Sequence, residues 1–463
     1  MPENVVILGG GIAGLTTAYA LAKRGILARI IEARHHLGGL VASGHVGGIQ
    51  LDLGAESFAL RSSVICELCD ELGLPYRTPA GQSWVWNDGI ATPIAHGLWG
   101  IPSSWDDHAF QVLTDDELEI AHRDRALGPR VGSDSTTLAE LVRVRLGQAV
   151  LEKMVEPVAG GVHTASPDDL DLDTVCPGLR DAIQREGSLI SAVHSIRGNS
   201  APVLAQPVGG MSQLVRALIE RLKRFGTQID TGLIVTDIAR EGSEFEILVA
   251  ESDGNRSNPK PVPGTEEILN ADRVIMALSG SSALPLLNKF PEINFEWEAP
   301  QGAAITTASL ILNNSLLDEA PRGSGLLVKP GSAMRAKALT HYSIKWPWAY
   351  ETLSKIHGPS THVVRVSYGR PDEPVQIPSP SDVLSDASRL LSIELSRTDL
   401  LDCRIIHWGP SLSPHSPEHR NHLESLKREI ALIPGLDVTG AWIAGTGLGA
   451  VIPHAYEIGE NLE

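Results

Sequence analysis

A glycine-rich turn close to the N-terminus constrains the fold of this chain more than any other feature. Residues 4–8 form a short β-branched run without alternation, as in a strand buried on both faces of a parallel sheet. Gly9, Gly11 and Gly14 follow with the spacing G-x-G-x-x-G and open a helix of small residues. Residues 28–31 then read as a second strand. This order of strand, turn, helix and strand predicts a βαβ unit of the Rossmann type.

The spacing of these glycines has a mechanical reason. The first permits a tight turn, the second lets a pyrophosphate approach the backbone, and the third lets the helix pack closely on the strand. The pyrophosphate then lies at the positive end of the helix. A carboxylate at the end of the second strand can accept hydrogen bonds from ribose hydroxyls. The sequence therefore predicts dinucleotide contacts at Gly9, Gly10, Gly11, Ile12, Ala13, Gly14 and Glu32.

Length and composition limit the class of protein. The 463 residues allow about three structural units, and 42% apolar with 20% charged residues is ordinary for a globular protein. The formal net charge of −18 would repel a phosphate backbone, so we expect no nucleic-acid partner. The N-terminus leads almost directly into a strand, and no window is apolar enough to span a bilayer. We expect a cytoplasmic protein with at most peripheral membrane contact.

Cysteine and histidine usage gives little sign of metal or nucleophile chemistry. The four cysteines are too few and too scattered for a disulfide framework or a four-thiolate zinc site. Cys66 and Cys69 have the spacing of a redox motif, but they lie in a segment with helical periodicity and are expected to pack in a core. We find no convincing metal site and assign no catalytic side chain.

Two further segments follow the predicted ribose-binding acid. Residues 32–39 end in the pair Gly38-Gly39, and residues 51–58 read LDLGAESF. They resemble the second and third signatures of the amine-oxidase-like flavoproteins, where the glycine pair lies beside the pyrophosphate and the third segment passes near the flavin. His36 stands where these families usually have Arg, which implies a weaker phosphate contact. The resemblance implies FAD as cofactor, with further contacts at Ala33, Gly38, Gly39, Gly54, Ala55, Glu56 and Ser57.

Several distant segments resemble a narrower family, the bacterial coproporphyrinogen III or protoporphyrinogen IX oxidases of haem biosynthesis. Residues 155–170 resemble the family's helical-domain signature, and residues 207–214 resemble the segment that re-enters the FAD domain. Residues 337–340 with 345–347, followed by residues 364–370, resemble its substrate domain and are the most specific match. Residues 445–453 resemble the motif that closes over the flavin's pyrimidine end, although that motif is about one residue short and differs at Ala450-Val451. The resemblance covers nearly the full length.

This narrower resemblance also implies contacts. Cofactor contacts are implied at Val235, Trp408, Gly445, Val451, Ile452 and Pro453. Cations should bind the substrate's propionates, and Lys345 and Arg365 lie in the matching segments.

The reaction implied is the O₂-dependent, six-electron oxidation of coproporphyrinogen III to coproporphyrin III, with release of H₂O₂. The partners implied are the porphyrinogen, O₂ and, transiently, a ferrochelatase. The alternatives are a protoporphyrinogen IX oxidase, another amine-oxidase-like flavoenzyme, and a catalytically weak flavin- or porphyrin-binding protein, which the departures near the C-terminus would suit.

The expected fold is α/β (α+β overall), with a Rossmann-like FAD-binding domain that carries two insertions. The FAD domain is predicted over residues 1–80, 201–290 and 406–463. A helical domain is predicted over residues 81–200, and a strand-rich substrate-binding domain over residues 291–405. Non-adjacent segments must then pack together, so residues 9–14 should lie close to residues 445–453.

Overall fold

The computed structural model of the protein describes residues 4–60, 62–163, 165–197, 204–255, 258–294, 304–370, 374–409 and 417–462. Of the predicted domain limits, residues 1, 200, 201 and 463 lie outside the described residues. The strands are β1 (Val5–Leu8), β2 (Ala28–Glu32), β3 (Ser43–Val46), β4 (Ile49–Asp52), β5 (Phe58–Ala59), β6 (Tyr76–Arg77), β7 (Ser83–Asn87), β8 (Ile90–Pro93), β9 (Gly97–Leu98), β10 (Ile101–Pro102), β11 (Leu204–Pro207), β12 (Gln228–Thr231), β13 (Leu233–Glu241), β14 (Glu244–Glu251), β15 (Glu267–Ala271), β16 (Arg273–Met276), β17 (Ile305–Asn313), β18 (Gly325–Val328), β19 (Ala336–His341), β20 (Thr361–Tyr368), β21 (Leu400–Trp408) and β22 (Leu436–Val438).

The helices vary from single turns to four turns. They are α1 (Ile12–Lys23), α2 (Ser63–Leu72), α3 (Asp115–His122), α4 (Leu138–Leu146), α5 (Gln148–Val150), α6 (Gly161–His163), α7 (Leu172–Val175), α8 (Leu179–Glu186), α9 (Leu189–Arg197), α10 (Ser212–Phe225), α11 (Gly280–Leu287), α12 (Tyr342–Lys345), α13 (Pro347–His357), α14 (Pro380–Leu391), α15 (Pro417–Ile430), α16 (Ala441–Ala444) and α17 (Leu448–Asn461). A π-helix covers Leu151–Gly160, and short 3₁₀ turns cover His108–Val112, Arg123–Arg125, Ser315–Leu317 and Arg397–Asp399.

A parallel five-stranded sheet with the order β12-β2-β1-β16-β22 carries the glycine-rich turn. Every residue of β1 is buried, because helices and strands cover both of its faces. Val5 and Ile7 pack with α1, α2, α10 and α17 on one side. Val6 and Leu8 pack on the other side, where α11, α15 and the antiparallel sheet β13-β14-β15 lie. The predicted α/β fold with a Rossmann-like unit is confirmed.

A mixed seven-stranded sheet has the order β21-β17-β20-β19-β18-β7-β8. One face packs against α14 in an apolar core, and the other face meets β3, β4, α12 and α13. Two of its strands, β7 and β8, come from residues 83–93, which the sequence assigned to the helical domain. Strand β21 continues through the predicted domain limit at residues 405 and 406. Both differences arise because strand pairing joins residues that are far apart in the chain.

A cluster of helices from α3 to α9 has its own apolar core. Arg145 and Asp124 form a fully buried ion pair in it, with Arg145 Nε 2.7 Å from the Asp124 carboxylate. Arg145 also donates to three backbone carbonyl groups, so the buried charge is well compensated.

Among the described residues, no helix is both long enough and apolar enough to cross a membrane.

Candidate functional site

The glycine-rich turn connects β1 to α1 and closes on β2. Gly9 has a φ of 109°, in the region that favours glycine, and its N–H donates to the carbonyl of Ile31. A Cβ atom at Gly14 would lie 2.0 Å from the carbonyl oxygen of Gly9. The turn is therefore possible only with glycine at both positions, as its spacing predicts. Gly10, Ile12 and Ala13 are buried around it.

Glu32 lies at the end of β2, beside this turn. Its carboxylate is buried and accepts hydrogen bonds from the N–H groups of Gly10, at 2.8 Å, and of Arg34, at 2.9 Å. A carboxylate oxygen has lone pairs for more than one donor, so the same side chain can also accept a ribose hydroxyl. Ala33, next along the chain, is partly exposed.

The glycine pair of the second predicted segment lies against the turn. Gly38 donates to the carbonyl of Gly10, and Gly11 and Gly38 form a parallel bridge. Gly11 and Gly39 are both partly exposed, and a Cβ atom built at Gly11 would meet only the Cα of Gly39, at 3.9 Å. Two glycine backbones, which carry no side chains, thus face each other at the N-terminus of α1. This open cradle fits the pyrophosphate of FAD.

The third predicted segment packs directly on the second. Ala55 donates to the carbonyl of Leu40, and a Cβ atom at Gly54 would lie 1.9 Å from the same oxygen. Gly54, Ala55, Glu56 and Ser57 are all partly exposed. Residues 54–57, here called the 54–57 loop, therefore lie beside the cradle, in the order expected for a segment that passes the flavin.

The C-terminal segment also returns to α1. Helix α17 begins beyond Gly445 and carries Val451, Ile452 and Pro453, and its buried side chains share one apolar cluster with Ile12 and Ala13. Thr17 of α1 donates to the carbonyl of Ala455, at 2.8 Å. Residues 9–14 and 445–453 thus belong to neighbouring elements that pack together.

Val235 lies on β13, where the pairing with β14 is interrupted by a bulge. It is partly buried against the apolar cluster that contains Ile31. The preceding strand, β12, pairs with β2, with Thr231 opposite Glu32. Val235 therefore follows shortly after Thr231 in the chain, and Thr231 lies beside Glu32, the predicted ribose-binding residue.

The two predicted substrate cations share one carboxylate. Lys345 Nζ lies 2.7 Å from Oε1 of Glu56, and Arg365 lies 3.5 Å from Oε2. Trp346 donates its indole N–H to Glu56 as well, at 3.0 Å. Burial raises the pKa of the Glu56 carboxyl, but Lys345 and Arg365 outweigh that effect and hold it below its ordinary value.

The carbonyl of Leu53 joins the 54–57 loop to the seven-stranded sheet. It accepts hydrogen bonds from Trp408, from Thr307 and from Arg365, which also donates to the carbonyl of Gly54, at 2.8 Å. Arg365 is 7% exposed. Trp408 and Arg365 thus position the loop, and Arg365 is less available to a substrate propionate than the sequence suggested.

A second buried cluster behind the loop was not identified from the sequence. Asp52 accepts hydrogen bonds from the N–H groups of Met211 and Ser212, and Gln206 Nε2 lies 3.3 Å from it. Burial raises the pKa of Asp52 to about 7, against the lowering effect of the two backbone donors. Gln206 also donates to the carbonyl of Glu56 and connects the two clusters.

Tyr342 and Trp348 complete this cluster. The hydroxyl of Tyr342 lies 2.9 Å from Gln206 Nε2, and the indole of Trp348 donates to Gln206 Oε1, also at 2.9 Å. Asp52 lies within residues 51–58 and Gln206 directly precedes residues 207–214, both of which the sequence analysis singled out, and this position is the signal that could have found them.

The arrangement as a whole can hold a dinucleotide along the turn and the cradle, with its flavin end beside the 54–57 loop. A redox dinucleotide bound in this way would supply the chemistry itself, while the chain would bind and orient it.

Comparison with known proteins agrees with this geometry. The family model for flavin containing amine oxidoreductases matches residues 12–461. The coproporphyrinogen III oxidase of Mycobacterium leprae is 28% identical over 100% of this chain and 98% of its own length. The protein of the same name from Mycobacterium tuberculosis is 26% identical over 98% and 96%.

A solved structure is also similar over the whole chain. It is a protein of Exiguobacterium sp. 255-15 that carries the provisional name protoporphyrinogen oxidase, with a TM-score of 0.80, 23% identity and coverage of 99% of this chain and 98% of its own. This likeness shows a common fold. Since the family model covers nearly all of the sequence, the chain belongs to the flavin containing amine oxidoreductases, and its cofactor is FAD.

Proposed function

We propose that this protein is an FAD-dependent oxidase that converts coproporphyrinogen III to coproporphyrin III with O₂ as acceptor, in haem biosynthesis. One observation carries the proposal: relatives named coproporphyrinogen III oxidase match the chain over almost its entire length. The segments that resemble the substrate domain of these oxidases also contribute the residues that contact the 54–57 loop, Lys345 and Arg365.

When bound, FAD would supply the redox chemistry of three two-electron oxidations, in which one porphyrinogen and three O₂ give one porphyrin and three H₂O₂. The chain's own residues bind and orient. The cradle at Gly11 and Gly39 would receive the pyrophosphate, and Glu32 would accept hydrogen bonds from the ribose hydroxyls. Glu56 is fixed by Lys345 and Arg365, and these contacts would hold the 54–57 loop in place for the flavin.

The charges around Glu56 suit an anionic substrate. Lys345 and Arg365 bring two positive charges to one carboxylate, so this group keeps an excess of one positive charge. Substrate binding by these two residues stays a prediction. Because Arg365 already donates to the carbonyls of Leu53 and Gly54, we place Lys345 nearer to this role.

The proposal also covers the partners of the protein and its compartment in the cell. A porphyrin product must be passed to an iron-inserting enzyme, so we include transient contact with a ferrochelatase. The cytoplasm is the expected compartment, and a net charge of −18 disfavours binding to nucleic acid or to an anionic membrane surface.

The test is a comparison of substrates with the FAD-loaded protein. Coproporphyrinogen III, protoporphyrinogen IX and putrescine are supplied separately in air, and porphyrin fluorescence and H₂O₂ are followed. Cofactor-free protein gives the rate of spontaneous oxidation. We expect coproporphyrinogen III to have the highest kcat/KM. If protoporphyrinogen IX or putrescine has the highest kcat/KM instead, the protein is a protoporphyrinogen oxidase or an amine oxidase. If no substrate reacts faster than in the control, the protein binds flavin or porphyrin without oxidase activity.

A further inference from the structure

One peptide group of the 54–57 loop is held by the protein at one end only. The carbonyl of Glu56 accepts a hydrogen bond from Gln206 Nε2, at 2.6 Å. The N–H of the same peptide belongs to Ser57, and it has no hydrogen-bond partner in the part of the chain that the structure describes. The peptide between Gly54 and Ala55, in contrast, is held at both its carbonyl and its N–H. The Ser57 N–H is therefore a donor that a bound ligand can use.

The neighbours of Gln206 fix the orientation of its amide. The indole N–H of Trp348 can only donate, and it lies 2.9 Å from Oε1 of Gln206, so Oε1 is the acceptor. The carbonyl of Glu56 can only accept, so it requires the amide nitrogen. Gln206 is 1% exposed, so water hardly competes for either bond. The position therefore needs a side chain that donates at one end atom and accepts at the other.

The planar peptide determines where the Ser57 N–H points. In a trans peptide the C=O and N–H groups point in opposite directions, and no cis peptide is found among the described residues. The Glu56 carbonyl points to the buried cluster of Gln206 and Tyr342, so the Ser57 N–H points away from it. Ser57 itself is partly exposed. Because Lys345 also holds the Glu56 carboxylate, the peptide is restrained from two sides.

We propose that Gln206 is a positioning residue for the cofactor, because it holds the Glu56 carbonyl so that the Ser57 N–H donates to an acceptor atom of the flavin ring. The inference rests on the FAD dependence in the proposed function, and it holds for any substrate. Reduction adds negative charge to the flavin ring, and a fixed backbone donor stabilises that charge. Gln206 then helps to set the reduction potential of the bound FAD.

The reduction potential of the bound FAD tests this role without any substrate. FAD-loaded wild type and variants are titrated with a reductant against a reference dye. Gln206→Met keeps the size of the side chain and removes the donor to Glu56. We expect it to shift the equilibrium between oxidised and reduced FAD about tenfold toward the oxidised form, a fall of about 30 mV for a two-electron couple. Tyr342→Phe, the matched control, removes another partner of the same amide and should shift this equilibrium by less than about twofold, because the donor to Glu56 remains.

Amide hydrogen exchange at Ser57 gives a second measurement, which needs no variant. The exchange of this N–H is compared in wild type with and without FAD. We expect FAD to slow the exchange about tenfold or more, because a hydrogen-bonded amide must open before it exchanges. This measurement decides the role of the N–H even if Gln206→Met is too unstable to be purified with FAD.

Three outcomes would overturn the inference. The first is exchange at Ser57 that FAD does not slow. The second is an equal reduction potential in wild type and Gln206→Met at full FAD content. The third is an equal shift in Gln206→Met and Tyr342→Phe, since the shift would then come from a disturbed cluster and not from the Glu56 carbonyl. Failure of the proposed function looks different: the potential would still depend on Gln206, but coproporphyrinogen III would not be oxidised.

Discussion

Lys345 Nζ lies 2.7 Å from Oε1 of Glu56, and this ion pair holds α12 to the 54–57 loop. The side chains are 18% and 14% exposed. Another pair in the protein, Lys23 and Glu71, has the same distance of 2.7 Å, but its side chains are 36% and 39% exposed. The two pairs therefore differ in burial and not in N–O distance, so burial should decide how much each pair contributes to the free energy of unfolding.

The first prediction compares these pairs. Glu56→Gln leaves Lys345 and Arg365 without their carboxylate in a poorly solvated place, so the free energy of unfolding should fall by about 3 kcal/mol or more. Glu71→Gln removes a surface pair and should cost under about 1 kcal/mol. Thermal or urea unfolding of both FAD-loaded variants measures the difference. Equal losses would show that Glu56 does not fix the loop.

The second prediction concerns Glu32. Glu32→Ala removes the charged acceptor that we propose for the ribose hydroxyls and also the acceptor for the N–H of Gly10. We expect FAD to bind about tenfold to a hundredfold more weakly, which corresponds to roughly 1.5–3 kcal/mol. Flavin fluorescence during titration of the cofactor-free protein gives the constant, with the exposed Glu67→Ala as control. An unchanged constant would remove Glu32 from the site.

The third prediction concerns acid stability and a buried histidine pair. His341 Nε2 and His362 Nδ1 lie 3.0 Å apart, and the Asp318 carboxylate lies 2.9 Å from the other ring nitrogen of His362. Burial lowers the pKa of His341 to about 3, and repulsion from His362 adds to this. The unfolded chain takes up a proton near pH 6.5, before the folded one does, so stability is present above that pH and is lost as the pH falls below it.

Each such histidine should reduce stability by at most about 1.4 kcal/mol per pH unit. His341→Gln should flatten this dependence between pH 6.5 and about pH 4, and His45→Gln, at an exposed position, should not. Thermal midpoints measured across that range provide the comparison. If the thermal midpoint changes with pH in the same way in wild type, His341→Gln and His45→Gln, then His341 is not the source of the acid sensitivity.

The βαβ unit that carries the glycine-rich turn could be predicted from the sequence, because its signals are local. Strand, turn, helix and strand follow one another within residues 5–32, and Gly9 and Gly14 are required by a positive φ and a close approach that their spacing encodes. The position of Glu32 is fixed by the same unit, because this residue ends its second strand. The contacts between residues 38–40 and 54–55 needed the family resemblance, since periodicity alone does not bring two loops together.

The substrate side could not be predicted in the same way. Asp52 accepts from Met211 and Ser212, which lie about 160 positions away. Pairing of Lys345 and Arg365 with one carboxylate depends on how α12 and β20 pack against the 54–57 loop, which local sequence patterns do not specify. The sequence therefore predicts that Lys345 and Arg365 both bind a propionate, although Arg365 donates to two backbone carbonyls in the structure.

The most direct test of the central claim is the stoichiometry of the reaction. FAD-loaded protein is mixed with coproporphyrinogen III in air-saturated buffer, and O₂ consumption, H₂O₂ and coproporphyrin III are measured together, with the spontaneous rate subtracted. A coproporphyrinogen III oxidase should consume three O₂ and release three H₂O₂ for each coproporphyrin III formed. Protein that holds FAD but forms no coproporphyrin III above the spontaneous rate would contradict the account.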